Sequence, residues 1–265
     1  MLILLSNDDG IRAPGLRFLH DALTSLGRVA VVAPDRDQSA VSHSLTLHNP
    51  LRFNELSPSW YEVNGTPTDC INLAVNNILA GERPALIVAG INDGLNLGDD
   101  VTYSGTVSAA MEGTILGIPS IAFSLAEDPT EENIALRTNE VAARQRGYVV
   151  AAAFARKLVQ QVLQHGVPQG TFLNVNIPCV ERSEELRGVQ ITRQGKRQHH
   201  VPVLRNVDPR GRPYFWIGGS TFQWLDEEGT DVAAVRAGCV SITPLQLDLT
   251  NYAAYDVLRR WHLTP

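Results

Sequence analysis

Leu2–Ser6 is apolar at consecutive positions, which predicts a strand buried on both faces rather than the alternation of a half-exposed one. Leu16, Leu19, Leu23 and Leu26 then recur at helical spacing, predicting a helix over Pro14–Leu26 that stops at Gly27. The same contrast of period repeats down the chain. Val29–Ala33, Ala85–Gly90, Ile118–Ser124 and Phe172–Ile177 read as further strands. Thr68–Leu79, with Thr68 as N-cap, and Ser104–Leu116 read as helices, the second with Val107, Ala110, Met111 and Thr114 inward and Gly117 at its end. Glu127–Gln145 is polar and predicts either a helix extension or a surface loop before a helical pattern over Gly147–Gln164. Beyond Pro178 short strands are expected at Val189–Arg193, Tyr214–Ile217 and Val240–Thr243, then an amphipathic helix over Asn251–His262. Strands alternating with helices predict an α/β fold: a doubly wound, mostly parallel sheet over about residues 1–180 with a β-rich extension over 181–265.

Composition narrows the classes. Of 265 residues 44% are hydrophobic and 19% charged, enough apolar material for a core and too little charge for a disordered chain. A net charge of −6 without a long basic run argues against duplex nucleic acid and anionic membranes as partners. Cys70, Cys179 and Cys239 are widely spaced and form no C-x-x-C, which predicts neither a disulfide scaffold nor structural zinc. The opening MLILLSNDDG lacks the basic start and longer apolar stretch of a signal peptide, and no apolar run approaches membrane-spanning length. A soluble, cytoplasmic protein is expected.

The chemistry lies where the predicted strands end. Ligands of open parallel sheets bind outside the carboxyl ends of the strands. Here three strands end in oxygen-bearing side chains: Ser6-Asn7-Asp8-Asp9-Gly10, Pro34-Asp35-Arg36-Asp37-Gln38-Ser39, and Ile91-Asn92-Asp93-Gly94-Leu95-Asn96-Leu97-Gly98-Asp99-Asp100. Asp8 and Asp9 repel each other if both are ionised at a buried strand end, so either one holds a proton or a cation neutralises the pair. Carboxylates with Ser and Asn oxygens suit Mg²⁺, Mn²⁺ or Ca²⁺ better than zinc. The alternative stays open that these acids only cap the next helix or fix the turn before Gly10. Downstream, Ser104-Gly105-Thr106 opens a helix whose unpaired amides and dipole favour an anion, although an ordinary Ser N-cap reads the same way. A cation beside an anion-binding helix end points to phosphate-ester chemistry. No G-x-x-x-x-G-K-[ST], G-x-G-x-x-G after the first strand, G-x-S-x-G or H-E-x-x-H is present, which disfavours P-loop, dinucleotide, serine-hydrolase and zincin chemistry. Lys196-Arg197-Gln198-His199-His200 reads as a solvated turn or an aid to anion attraction, His43 as a surface or core residue ahead of one approaching the site four residues beyond Ser39, and Cys70 as a small buried one.

The blocks LLSNDDGIRAPG, VVAPDRDQSAVSHSLTL, GTPTDC, AGINDGLNLGDDVTYSGTVSAAMEG and GTDVAAV…VSITPLQLDLT, in order through nearly the whole chain, resemble the SurE stationary-phase survival-protein nucleotidases. The resemblance implies a Rossmann-like fold whose C-terminal region and arm exchange between subunits, giving dimers or tetramers. It implies a metal-dependent phosphomonoesterase acting on nucleoside 5′- and 3′-monophosphates and, in some members, on short polyphosphate. Its metal ligands fall on Asp8, Asp9, Ser39 and Asn92, and its phosphate contacts on Asn96, Ser104, Gly105 and Thr106. One divalent cation per subunit is implied, Mg²⁺ or Mn²⁺ ahead of Ca²⁺. Asp93 and Ser108 stand where the family carries small residues, and the polar stretch from Glu127 is longer than its pattern. On this reading Asp8 orients or deprotonates the attacking water or attacks phosphorus itself. The rivals are a non-catalytic nucleotide-binding stress regulator on the same fold and an assembly protein built around the C-terminal arm.

Overall fold

In chain order the first half of the protein forms β1 (Leu2–Ser6), α1 (Pro14–Leu23), β2 (Arg28–Pro34), β3 (Phe53–Ser57), β4 (Trp60–Val63), α2 (Pro67–Leu73), β5 (Leu86–Asp93), α3 (Gly105–Ile115) and β6 (Ser120–Ala126). The second half forms α4 (Val141–His165), β7 (Thr171–Pro178), β8 (Val189–Ile191), β9 (Val203–Val207), β10 (Pro213–Ile217), α5 (Asp231–Arg236), β11 (Val240–Gln246) and α6 (Tyr255–Arg259). The computed structural model describes residues 1–126, 141–197, 203–217, 224–225, 227–261 and 263.

Nine strands make one sheet in the order β3-β4-β2-β1-β5-β6-β7-β11-β8. Pairing is parallel from β4 through β7, while β3 and β11 run against their neighbours β4 and β7. The chain leaves β1 for β2 on one side and later enters β5 on the other, so the switch point lies beside β1. Successive residues of β1 feed opposite cores. Ile3 and Leu5 join Leu16, Leu19, Leu23, Ala151 and Val159 from α1 and α4. Leu4 joins Cys70, Ile71 and Ala109 from α2 and α3 on the other face. Helices therefore cover both faces, as consecutive apolar positions in the strands require.

Local chemistry moves several boundaries. α1 stops at Leu23, where the Thr24 amide donates to the His20 carbonyl, so Leu26 belongs to the following turn. A Cβ on Gly15 would lie 2.0 Å from the Ile91 carbonyl, so only glycine lets α1 rest on the β5 backbone. The N-cap of α2 is Thr66, not Thr68. Thr66 Oγ1 accepts from the Asp69 amide at 3.1 Å, and Asp69 Oδ2 accepts from the Thr66 amide at 2.9 Å, a reciprocal capping box with Pro67 in the first turn. The helix then widens into a π-helical turn over Ala74–Ile78. α3 is buried nearly all round rather than on one inner face, because Gly105–Ala110, Glu112 and Gly113 are all enclosed. β5 runs to Asp93, which puts Asn92 and Asp93 on the strand end with a register shift between Ala89 and Asn92.

α4 includes Val141–Gln145, so that part of the polar stretch is helical; residues 127–140 lie outside the described residues. Past Pro178, β11 and β8 extend the central sheet, while β9 and β10 form a separate hairpin with every residue exposed. The helix expected over Asn251–His262 contracts to a turn at Tyr252–Ala254 and to α6, with no buried residue in either. Among the described residues no helix is long and apolar enough to cross a membrane.

Candidate active site

The turn after β1 is fixed by its neighbours. Asn7 Nδ2 donates to the Gly10 carbonyl at 2.9 Å, and the Gln38 amide donates to the Asp8 carbonyl at 2.8 Å. Asp8 is thereby held under the start of α3. Its carboxylate accepts from the Thr106 hydroxyl and from the backbone amides of Thr106 and Gly105. The helix end expected to meet an outside anion already meets this carboxylate. A Cβ on Gly105 would lie 2.7 Å from Asp8 Cβ, so the absent side chain makes the approach possible. Burial raises the Asp8 carboxyl above its ordinary range, and the Thr106 contacts only partly oppose the shift.

Asp9 sits beside it. Its Oδ2 accepts from the Asp93 amide at 3.0 Å. Desolvation, with the charge of Asp8 second, pushes this carboxyl up to about 7. Both neighbouring carboxyls are thus raised, chiefly by burial.

From β5, Asn92 Nδ2 donates to the Gly94 carbonyl at 2.9 Å. The Asp93 carboxylate takes Arg144 of α4, whose Nε donates to Oδ1 at 2.5 Å. Asn96 is held on both backbone groups: its amide donates to Asn176 Oδ1 at 2.8 Å, and its carbonyl accepts from Asn174 Nδ2 at 2.8 Å and Asn176 Nδ2 at 2.9 Å. Its own Nδ2 donates to Ser124 Oγ at 2.8 Å. Ser104 caps α3, its Oγ accepting from the Val107 amide at 3.1 Å. Ser39, exposed on the loop after β2, donates from Oγ to Asp37 Oδ1 at 2.6 Å.

A cavity of about 600 Å³ brings Asp8, Asp9, Ser39, Asn92, Asn96 and Ser104 together. Of the eight residues singled out in the sequence, Gly105 and Thr106 are the two that do not line it. Both lie behind Asp8. The walls add Asp93, Asp100, Tyr103, Leu95, Ala40, Arg197 and Ile217. Arg197, from the basic cluster, donates from Nη2 to Asp100 Oδ2 at 2.6 Å and lies 5.4 Å from the Trp224 ring centroid. Of these wall residues, Asp100 belongs to the third strand-end run read from the sequence and Tyr103 directly precedes the Ser104 helix start, whereas Ile217, on a distant strand, carries no local signal. His43 is half-buried against Glu112, its Nε2 at 2.7 Å from Oε2. Cys70 is enclosed and its thiol is pushed well up by desolvation, which fits a packing role.

Among the described residues no three His, Cys, Asp or Glu side chains are grouped to hold a metal ion, so a cation here needs neutral oxygen ligands beside its carboxylates. Two acids with a hydroxyl and an amide oxygen form a hard donor set of that kind.

An open, mostly parallel sheet with a carboxylate-floored cavity at its switch point defines a doubly wound α/β protein that takes a small polar ligand at the strand ends. The profile described as "Survival protein SurE" matches residues 3–201, and the chain belongs to the SurE family. It is 52% identical over 261 residues to the protein named 5′-nucleotidase SurE of Geobacter metallireducens, covering 98% of this chain and 97% of that one. The protein of the same name from Geobacter sulfurreducens is 52% identical over 264 residues, covering 100% and 95%. The crystal structure of the SurE protein from Aquifex aeolicus superposes with a TM-score of 0.84 at 47% identity over 99% of this chain and 100% of that one.

Proposed function

We propose that this protein hydrolyses nucleoside 5′-monophosphates to nucleoside and phosphate at the Asp8–Asp9 cavity, with a divalent cation held by Asp8, Asp9, Ser39 and Asn92. The observation that carries the reading is the adjacent pair Asp8–Asp9 in one cavity with Ser39, Asn92, Asn96 and Ser104. The names of relatives about half identical over the full chain support the substrate class. A bound divalent ion supplies positive charge that polarises phosphoryl oxygens and makes water a better nucleophile.

The chain's own residues do the rest. Asn92 commits Nδ2 to Gly94, which leaves its amide oxygen as the ligand atom. Ser104 retains its O–H while Oγ accepts from Val107, so it donates to a phosphoryl oxygen. Asn96, fixed at its backbone, offers its second Nδ2 hydrogen to the same group. Thr106 and the Gly105 amide orient the Asp8 carboxylate, which positions the attacking water and takes its proton. Tyr103, Leu95 and Ile217 give the wall an apolar face for the nucleoside. Self-association through the C-terminal region completes the proposal, since the β9–β10 hairpin and the tail expose Phe215, Trp216, Ile217, Leu249 and Trp261.

Purified protein incubated with AMP and Mn²⁺ should release inorganic phosphate, and EDTA should stop it. A panel adding 3′-AMP and short polyphosphate, with Mg²⁺ and Ca²⁺ as alternative ions, sets the range. Phosphate release that persists in EDTA, or none with any ion, overturns the reading.

A further inference from the structure

Ser39 stands five residues beyond the end of β2, farther from its strand than Asp8, Asp9 or Asn92 from theirs. It stands on an irregular loop between β2 and β3, and the residues around it are held in unfavourable conformations. Ala40 and Ser42, neither of them glycine, have φ of 59° and 56°. Left-handed backbone at such residues persists only where the surroundings over-determine it. The contacts that do so form a strap. The Gln38 amide donates to the Asp8 carbonyl at 2.8 Å, and Ser42 donates from its amide to the Tyr103 carbonyl and from Oγ to the Thr102 carbonyl, at 3.0 and 2.8 Å. Further on, the Thr66 hydroxyl donates to the Ser44 carbonyl at 2.7 Å and Thr46 Oγ1 donates to Asp69 Oδ2 at 2.6 Å.

Among these ties, one side chain of the loop reaches a buried carboxylate of α3. Glu112 of α3, eight residues beyond the Ser104 cap, is 8% exposed at its side chain, yet carries a carboxylate. Each oxygen has its partner: Asn72 Nδ2 donates to Oε1 at 2.5 Å, and His43 Nε2 lies 2.7 Å from Oε2. A buried carboxylate demands such donors, because leaving one oxygen unpaired away from water is costly. That demand pulls the loop onto α3. The chemistry attributed to Asp8, Asp9 and Asn92 makes no use of either residue.

We propose that His43, bolted to Glu112, is a positioning residue that holds Ser39 at the cation site. The proposal rests on the reading of Ser39 as a ligand. His43 touches neither substrate nor cation; it acts through the conformation of residues 39–42. The same α3 that presents Ser104 at its start thus fixes Ser39 from two turns further along, so both are aligned by one rigid element.

The test uses His43→Ala, Ser39→Ala and the double variant, with Mn²⁺ affinity measured by titration calorimetry on the full chain without nucleotide. His43→Ala should weaken Mn²⁺ binding about tenfold, the lower range for groups that orient metal ligands. It should add nothing to Ser39→Ala in the double variant, because both remove the same ligand. His43→Gln, which carries an N–H toward the same carboxylate, should recover most of the affinity. Thermolysin cleavage at Leu45 or Leu47, both exposed on the strap, reads the bolt without any metal and should quicken in His43→Ala. Unchanged Mn²⁺ affinity together with an unchanged cleavage rate overturns the proposal, as does full additivity in the double variant. If the wild type binds no Mn²⁺ while the strap still loosens, the cation reading of Ser39 fails and the bolt stands. Should His43→Ala not fold, Glu112→Gln, which keeps size and one acceptor oxygen, is carried through the same measurements.

Discussion

Asn176 on β7 meets both backbone groups of Asn96, accepting from its amide at 2.8 Å and donating to its carbonyl at 2.9 Å beside Asn174. Both residues are buried, so one side-chain amide replaces the strand partner that an irregular loop lacks. Asn176→Ala leaves the Asn96 carbonyl to Asn174 alone and its amide without a partner, which should cost about 1–3 kcal/mol for the orphaned amide. Asn176→Asp keeps the acceptor but sets an anionic oxygen against the Asn96 carbonyl. It should raise KM for AMP more than it lowers kcat, since Asn96 is displaced while Asp8 is untouched. Thermal melts and steady-state kinetics check the two variants, and an Asn176→Asp enzyme with wild-type KM would show that Asn96 does not meet the phosphate.

Asp8 is a different case because its own charge opposes folding. Desolvation is the largest influence on its carboxyl, and Thr106 answers only part of it. Asp8→Asn removes the ionisable group while preserving shape. Turnover should fall by about 10³-fold or more, in line with loss of a catalytic acid–base group and a ligand together. Melting in EDTA should stay level or rise. A drop in both activity and melting temperature would mark Asp8 as a structural cap instead.

Gly105 offers a test of placement alone. A methyl there would overlap Asp8 Cβ, 2.7 Å away, and press on Pro67 Cγ at 3.1 Å. In most helices Gly→Ala stabilises. Here Gly105→Ala should displace Asp8 and cost about 10²-fold in kcat, the effect of a shift near 1 Å at a reacting group. Wild-type kcat in a folded Gly105→Ala protein would mean that the Asp8 contact does not matter to the reaction.

How far the sequence revealed this arrangement depended on the kind of signal. Consecutive apolar residues placed β1, β2 and β5 at the sheet centre, and the polar residues that ended them placed six of the cavity's residues. What escaped was of two sorts. β3 and β9 have every residue exposed, so no burial pattern marks them, and their pairing partners alone define them. The second sort is contacts between distant segments. Thr106 reads as a phosphate donor beside a helix start, but it is fully buried and faces Asp8. Nothing local in Asn174, Asn176 or Glu112 announces a partner 78, 80 or 69 residues away. The Thr66 cap was legible, since Thr66 and Asp69 have capping-box spacing, and was misread as Thr68.

Proton and cation compete for Asp9. Unfolded, its carboxyl titrates near the ordinary 3.8, and folding raises it to about 7. Between those values the folded state binds more protons than the unfolded one, so metal-free stability falls as pH rises through the window and levels off above about 7. Asp8, Asp100 and Asp231, also raised by burial, act with the same sign. Mn²⁺ should tighten across that window as the proton leaves. Melting curves in EDTA and in Mn²⁺, from about pH 5 to about pH 8, should therefore diverge with rising pH, and Asp9→Asn should remove most of the divergence. Parallel curves would place the cation elsewhere.

The tail makes the last prediction. Leu249, Tyr252, Val257, Leu258, Trp261 and Leu263 are all exposed, and α6 buries none of its residues. An isolated helix of five residues has no stability of its own, so an ordered α6 needs a surface to lie on. The described part of this chain offers none, and a second copy is the partner whose concentration always matches. Deleting Thr250–Pro265 should lower the mass found by light scattering at micromolar concentration, while the sheet and its cavity, built from residues before Gln246, keep their fold. The melting temperature of the full chain should rise with protein concentration, and that of the truncated chain should rise less. An unchanged mass after deletion would leave the β9–β10 hairpin, with Phe215 and Trp216 exposed, as the contact between copies.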